Sequence, residues 1–187
     1  MNPLLNEFKK YGNLSPEIES ELNRRIKTFH KKKGDYFLKQ GQVISNLFVI
    51  EKGLVRVFFV KNGKEINSWF ATENEIVSSI LPLYFNKPSF ENIQFLEDSF
   101  IYSVSANDLN KIYETYPEFN EIGRKIAEKL CGILEERMVS LHTETAEERY
   151  KSLIGKNPDL LQRVALGHIA SYLGITQETL SRIRNRF

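Results

Sequence analysis

The side chains best suited to work on a partner lie near the C-terminus of the chain. Gln177, Glu178, Ser181 and Arg182 fall one and four residues apart, so on a helix they share one face, while Leu180 and Ile183 fall on the other. Packing does not require such a set, which holds an amide, a carboxylate, a hydroxyl and a guanidinium fork, all groups for donating and accepting hydrogen bonds. Four basic residues, Arg163, Arg182, Arg184 and Arg186, stand in the same stretch against one acid, Glu178. A basic end on a chain of net charge +2 is what an element facing phosphates needs. Bond-making chemistry has no comparable constellation. There is no glycine-rich phosphate loop, no metal-ligand spacing and no Gly-x-Ser-x-Gly elbow, and His30, His142 and His168 are scattered, so the chain does not read as an enzyme.

The elements around this set are readable. Ile169, Ala170 and Leu173 form the inner face of one helix, Gly174 can take the left-handed conformation of a tight turn, and Ile175 plugs the angle. Thr176 can cap the helix that follows. Helix, glycine turn, apolar plug and polar outward face together spell a helix-turn-helix, whose second helix enters the major groove of DNA with its N-terminal residues at base edges.

The rest of the chain must carry and pair this motif. With 187 residues, 41% hydrophobic and 27% charged, it reads as folded, and no apolar run approaches the roughly 18 residues that span a bilayer. A single cysteine, Cys131, rules out an internal disulfide and an iron–sulfur site within one chain, and no metal site is expected. The N-terminus lacks a signal peptide's apolar stretch, so a cytoplasmic location without membrane contact is expected. About the first thirty residues read as helical, with Leu14-Ser15-Pro16-Glu17 as a start signal. From Gly34 to about Val104 short β-branched and aromatic runs alternate with turns, and 55–60, Asn62-Gly63 and 65–70 form the clearest hairpin. A long helix then opens at Pro117-Glu118, in which Ile122, Ile126, Leu130, Leu134, Met138 and Leu141 recur at intervals of three or four, a stripe fit to pair with a second copy. Thr145-Ala146-Glu147-Glu148 is a capping box that begins a new helix after a hinge near His142-Thr143.

Gly34–Gly41 followed by Leu47–Val57 resembles the cyclic-nucleotide-binding roll of the Crp/Fnr family. Leu96-Glu97-Asp98-Ser99 followed by Ser105–Leu109 resembles that roll's last strand and short helix, and Ile175–Arg182 is similar to the family's recognition helix. The resemblance runs from about Gly34 to Arg184. It implies an α+β chain: a β-roll (a cyclic-nucleotide-binding-like jelly roll) with N-terminal helices over 1–115, a dimerisation helix over 116–142, and an all-α helix-turn-helix domain over 143–187. It also implies a homodimer that binds double-stranded DNA at a palindromic site to regulate transcription, and it opens RNA polymerase and a small-molecule effector as further partners. Residue by residue, Arg182 matches the family's guanine-reading arginine, Glu178 its base-reading glutamate and Ser181 a serine of the Fnr branch, and Gln177 sits where Crp has an arginine. Arg184, Arg186, His168, Thr176 and Thr179 fall where phosphates are met. The alternative is a signalling or interaction module that keeps the roll and the long helix but binds DNA weakly or not at all.

The effector pocket is where the sequence departs from the family. In place of the Gly-Glu pair that holds the ribose stand Ser78 and Ser79. In place of the arginine and hydroxyl residue that hold the cyclic phosphate stand Ser89 and Phe90, with Lys87 the nearest cation in sequence, and the long-helix positions facing the base are Ile133 and Leu134. Burying a phosphate without its arginine is costly, so a cyclic nucleotide is disfavoured as the ligand. The sequence also ends at Phe187, without an obvious β-hairpin wing after the recognition helix.

Overall fold

The computed structural model describes residues 2–186, so the expectation about the end at Phe187 lies outside the described residues. Two capped helices open the chain, α1 (Pro3–Lys9) and α2 (Pro16–Arg25). Each begins with proline, and Asn2 and Ser15 accept the amides of Leu4 and Ile18. The strands follow: β1 (Lys27–Lys31), β2 (Tyr36–Leu38), β3 (Asn46–Lys52), β4 (Val55–Lys61), β5 (Lys64–Ala71) and β6 (Ile76–Ser78). After the short helix α3 (Ile80–Phe85) come β7 (Asn92–Phe95) and β8 (Ser99–Ser105). They form two four-stranded sheets, β1-β8-β3-β6 and β2-β7-β4-β5. The β4–β5 turn takes positive φ at both Asn62 (53°) and Gly63 (73°), the geometry that matches strand twist in a two-residue hairpin.

Phe48, at 0% exposure, fills the roll interior against Phe37 (ring centroids 4.3 Å apart) and Phe95 (6.1 Å). A second apolar cluster gathers Leu4, Phe8, Ile18 and Leu22 with Leu109 and Ile112 of α4 (Ala106–Thr115) and Phe119 and Ile122 of the long helix α5 (Phe119–Thr143). Beyond α5 lie α6 (Ala146–Lys156), α7 (Leu160–Arg163), α8 (Leu166–Leu173) and α9 (Gln177–Arg184). The capping box at Thr145 is formed as expected, with both Thr145 and Glu148 engaged.

The helical reading of the first thirty residues fails at its end. Lys27–Lys31 is strand β1, paired antiparallel with β8 from Lys27↔Ser103 to Lys31↔Ser99. Its side chains are mostly exposed, so no burial alternation marks it, and its partner lies some seventy residues away in sequence.

The chain divides into two compact units. One comprises the chain up to Val57 with Phe70–Glu128; the other comprises the hairpin segment Phe58–Trp69 with the chain from Lys129 on. Among the described residues no helix is long and apolar enough to cross a membrane.

Candidate nucleic-acid interface

In the second unit, α6, α8 and α9 enclose a small core of Tyr150, Leu153, Leu160, Val164, Ile169, Ala170, Leu173, Leu180 and Ile183, all buried. Leu180 and Ile183 anchor α9 by its inner face, leaving Gln177, Glu178, Ser181, Arg182 and Arg184 exposed on the outer one. Gly174 ends α8 with φ 70°, a conformation that a Cβ would strain. Thr176 caps α9, its hydroxyl accepting the amide of Thr179 at 3.2 Å.

The outward residues differ in their neighbours. One Arg182 Nη lies 3.3 Å from Thr179 Oγ1 and is the donor there. Glu178 accepts from its own backbone amide and from Thr176, and with Arg182 nearby these bonds hold its carboxyl below the usual range, which favours the anionic form. A Cβ built at Gly167 would come 3.4 Å from Gln177 Oε1, an ordinary contact, so the Gln177 amide lies close to the start of α8. Thr176 and Arg186 are exposed, and His168 and Thr179 are half-buried. Arg186 lies 3.7 Å from Glu147 of α6. The sequence-predicted DNA residues therefore gather on α8, α9 and the turn between them, with Arg186 in the turn after α9.

One contact of this unit has no sequence signal. The hydroxyl of Ser171, on α8, donates to the carbonyl of Glu65 and accepts the amide of Asn67, both at 3.0 Å. β5 is an edge strand, and a single serine satisfies one acceptor and one donor of that open edge. The side chain of Asn67 is buried at 3% exposure, and neither its nitrogen nor its oxygen finds a partner among the described residues.

The predicted effector-pocket residues fare differently. Ser79 and Ser89 come together, hydroxyl to hydroxyl at 3.1 Å, at 3% and 2% exposure. Ser89 Oγ also donates to the Glu91 carbonyl (2.9 Å) and accepts its amide (3.0 Å). Glu91, which sequence reasoning passed over although it adjoins Ser89-Phe90, brings a carboxyl to the same place: burial pushes it above the ordinary value of 4.5, and a bond from Ser79 pulls the other way. Ser78 is half-buried, Lys87 is exposed and Phe90 is 70% exposed, while Ile133 and Leu134 belong to the other unit. Two serines bonded to one another beside a half-buried carboxyl do not fit a cyclic phosphate, which needs a cation and free donors.

The α5 stripe divides. Ile122, at 1% exposure, is part of the chain's own core and Ile126 packs against it, so these two positions already have partners within the chain. Leu130 is half-buried, while Leu134, Met138 and Leu141 stay 45%, 55% and 46% exposed. Among the described residues no group of three or more His, Cys, Asp or Glu could hold a metal ion.

Comparison with known proteins bears on both regions. Residues 28–116 match the model of the cyclic nucleotide-binding domain. The "Fumarate and nitrate reduction regulatory protein" of Vibrio cholerae is 26% identical over 90% of this chain and 73% of its own length. "Electron transport regulator A" of Shewanella oneidensis is 24% identical over 83% of this chain, which spans 66% of that relative's length. Among solved structures, a transcriptional regulator of the crp/fnr family from Eubacterium rectale superposes with a TM-score of 0.74 at 14% identity, over 97% of this chain and 87% of that one. A mutant of CooA from Carboxydothermus hydrogenoformans gives 0.70 at 19% identity, over 92% and 80%. Residues 28–116 thus carry the cyclic nucleotide-binding domain, the curated relatives named are regulators, and the fold is similar to that of Crp/Fnr structures.

Proposed function

We propose that this chain is a sequence-specific DNA-binding transcription regulator that acts in the cytoplasm as a homodimer on a palindromic site. The observation that carries the reading is the outer face of α9: Gln177, Glu178, Ser181 and Arg182 are exposed on a helix held from behind by Leu180 and Ile183. Arg182 reads guanine through O6 and N7, Glu178 accepts from a cytosine amino group, and Ser181 and Gln177 set the remaining preference. Arg184, Arg186, Thr176, Thr179 and His168 meet the phosphates. The exposed stripe Leu134, Met138 and Leu141, with Leu130, pairs with its copy in a partner chain. Two recognition helices then lie about one DNA turn, ~34 Å, apart. RNA polymerase is the further protein partner. If a small-molecule effector acts on the roll, it is not cyclic AMP, because Ser89 stands where a cyclic phosphate needs an arginine, and Ser79 and Glu91 beside it bring no cation.

Selection from a pool of randomised palindromic duplexes, read by fluorescence anisotropy, tests this. The expected result is an enriched two-fold site with guanine·cytosine pairs one turn apart, whose affinity falls by roughly 1–3 kcal/mol in Arg182→Ala. Salt-sensitive binding without preference, unchanged by that substitution, favours the interaction-module alternative. A monomer at micromolar concentration in light scattering defeats the dimer.

A further inference from the structure

The turn that aims α9 is held by more than its glycine. A helix ends with four carbonyls that have no helical partner, and for α8 these are the carbonyls of residues 170–173. The amide of Ile175 closes on the Ala170 carbonyl at 3.0 Å and that of Gly174 on the Ser171 carbonyl at 3.1 Å, a pair of bonds made by the turn itself. The other two carbonyls are taken by arginines from elsewhere in the unit. A guanidinium nitrogen of Arg137, on α5, donates to the Tyr172 carbonyl, and the same guanidinium lies 3.8 Å from the centroid of the Tyr172 ring. Arg149, on α6, donates to the Leu173 carbonyl through Nε (3.1 Å) and a second nitrogen (2.9 Å), and with its third nitrogen to the Glu144 carbonyl beyond the end of α5.

We propose that Arg137 and Arg149 are positioning residues for base reading: they fix the α8–α9 turn to the long helix and to α6, so that the setting of α5 determines where Gln177, Glu178, Ser181 and Arg182 face. This inference rests on the DNA-reading proposal above. The planar forks suit the task. Arg149 grips one carbonyl with two parallel donors, and Arg137 combines a donor with a flat face stacked on an aromatic ring. Both put positive charge at the C-terminal end of α8, where the helix dipole favours it. Successive residues of a helix are about 100° apart, so turning α5 by one residue carries the Arg137 fork away from the Tyr172 carbonyl and leaves that group without a donor. The position of the long helix is thereby coupled to the aim of the recognition helix through one side chain.

The test uses the full chain with two duplexes, the site enriched from the pool and a scrambled sequence of equal length, together with amide hydrogen exchange at Gly174 and Ile175. Arg137→Met is expected to lose about tenfold in affinity for the selected site while binding to the scrambled duplex changes less than about twofold, with exchange at the two turn amides accelerated. Arg137→Lys, which keeps a donor, is expected to recover most of the preference. Arg124→Met, which removes an exposed arginine of α5 paired with Glu128, is expected to change neither readout. A folded Arg137→Met chain with unchanged preference and unchanged exchange overturns the proposal. If Arg137→Met does not fold, Tyr172→Leu decides: it removes the stacking ring and leaves the carbonyl, and an unaltered preference with unaltered exchange overturns the role of the stack. If the unsubstituted chain shows no sequence preference, the DNA-reading proposal fails, and the exchange comparison alone then decides whether Arg137 holds the turn.

Discussion

The polar groups around Ser89 and those on the outer face of α9 are used in opposite ways. In the roll, Ser79, Ser89 and the backbone of Glu91 bond to one another in a site that is nearly closed to solvent. On α9, Gln177, Glu178, Ser181 and Arg182 remain open to solvent, and the packing of the helix depends on none of them. Buried and mutually bonded, a polar cluster serves the fold, since each group lost leaves another without a partner. Exposed and unneeded by the core, a polar set is available for a ligand. The difference is one between polar groups spent on the fold and polar groups left open to a ligand.

Substitutions can break this contrast, and the largest effect belongs to the roll's interior. Phe48→Ala removes a fully buried ring packed on Phe37 and Phe95, and is expected to lower stability by about 3–5 kcal/mol in denaturant unfolding. Next comes a crossed pair. Ser89→Ala leaves the Glu91 amide without its acceptor and is expected to lower stability by about 1–3 kcal/mol, with DNA binding by the folded chain unchanged. Arg182→Ala is expected to do the reverse, losing DNA affinity as above while the unfolding midpoint stays within about 0.5 kcal/mol. If Ser89→Ala weakens DNA binding at constant stability, or Arg182→Ala unfolds the chain, the two regions do not divide the work as described.

Much of this was legible in sequence, and the parts that were not share a cause. Thr145 and Glu148 announce their helix because a capping box is local, and Gly174 announces its turn because its conformation is local too. The outer face of α9 is legible because Leu180 and Ile183 fix which side is in. Strand β1 is hidden because Lys27–Lys31 is defined by a distant partner and not by its own periodicity. The hold of Ser171 on β5, and of Arg137 and Arg149 on α8, are likewise invisible: side chains bonding to backbone groups carry no pattern, and arginines on a helix read as solvated charge. Asn67 sharpens the point, since its place in β5 gives no sign that its amide is buried without a partner. Asn67→Leu exchanges that amide for an apolar group of similar size and is expected to raise stability by about 1 kcal/mol, read as a higher denaturant midpoint. A loss of stability instead means that the amide has an acceptor or donor in solution.

The smallest effect isolates the carboxyl that separates this roll from an anion site. Burial pushes Glu91 above its ordinary value of 4.5, against an opposing bond from Ser79, so the folded chain holds this proton more tightly than the unfolded chain does. Below the unfolded value both states are protonated and the group is neutral in its effect. As pH rises from there through the folded value, the unfolded chain ionises first, and stability falls by an amount that is fully present above the folded value. Glu91→Gln removes the titration and leaves a neutral group of similar shape. Unfolding free energies measured from pH 4 to 7 are therefore expected to show the unsubstituted chain losing ground to Glu91→Gln as pH rises. The opposite slope means that hydrogen-bond donors or a cation at the Glu91 carboxylate outweigh its burial. Such groups are what a cyclic phosphate needs, so the sign of this slope bears directly on the class of effector the roll can accept.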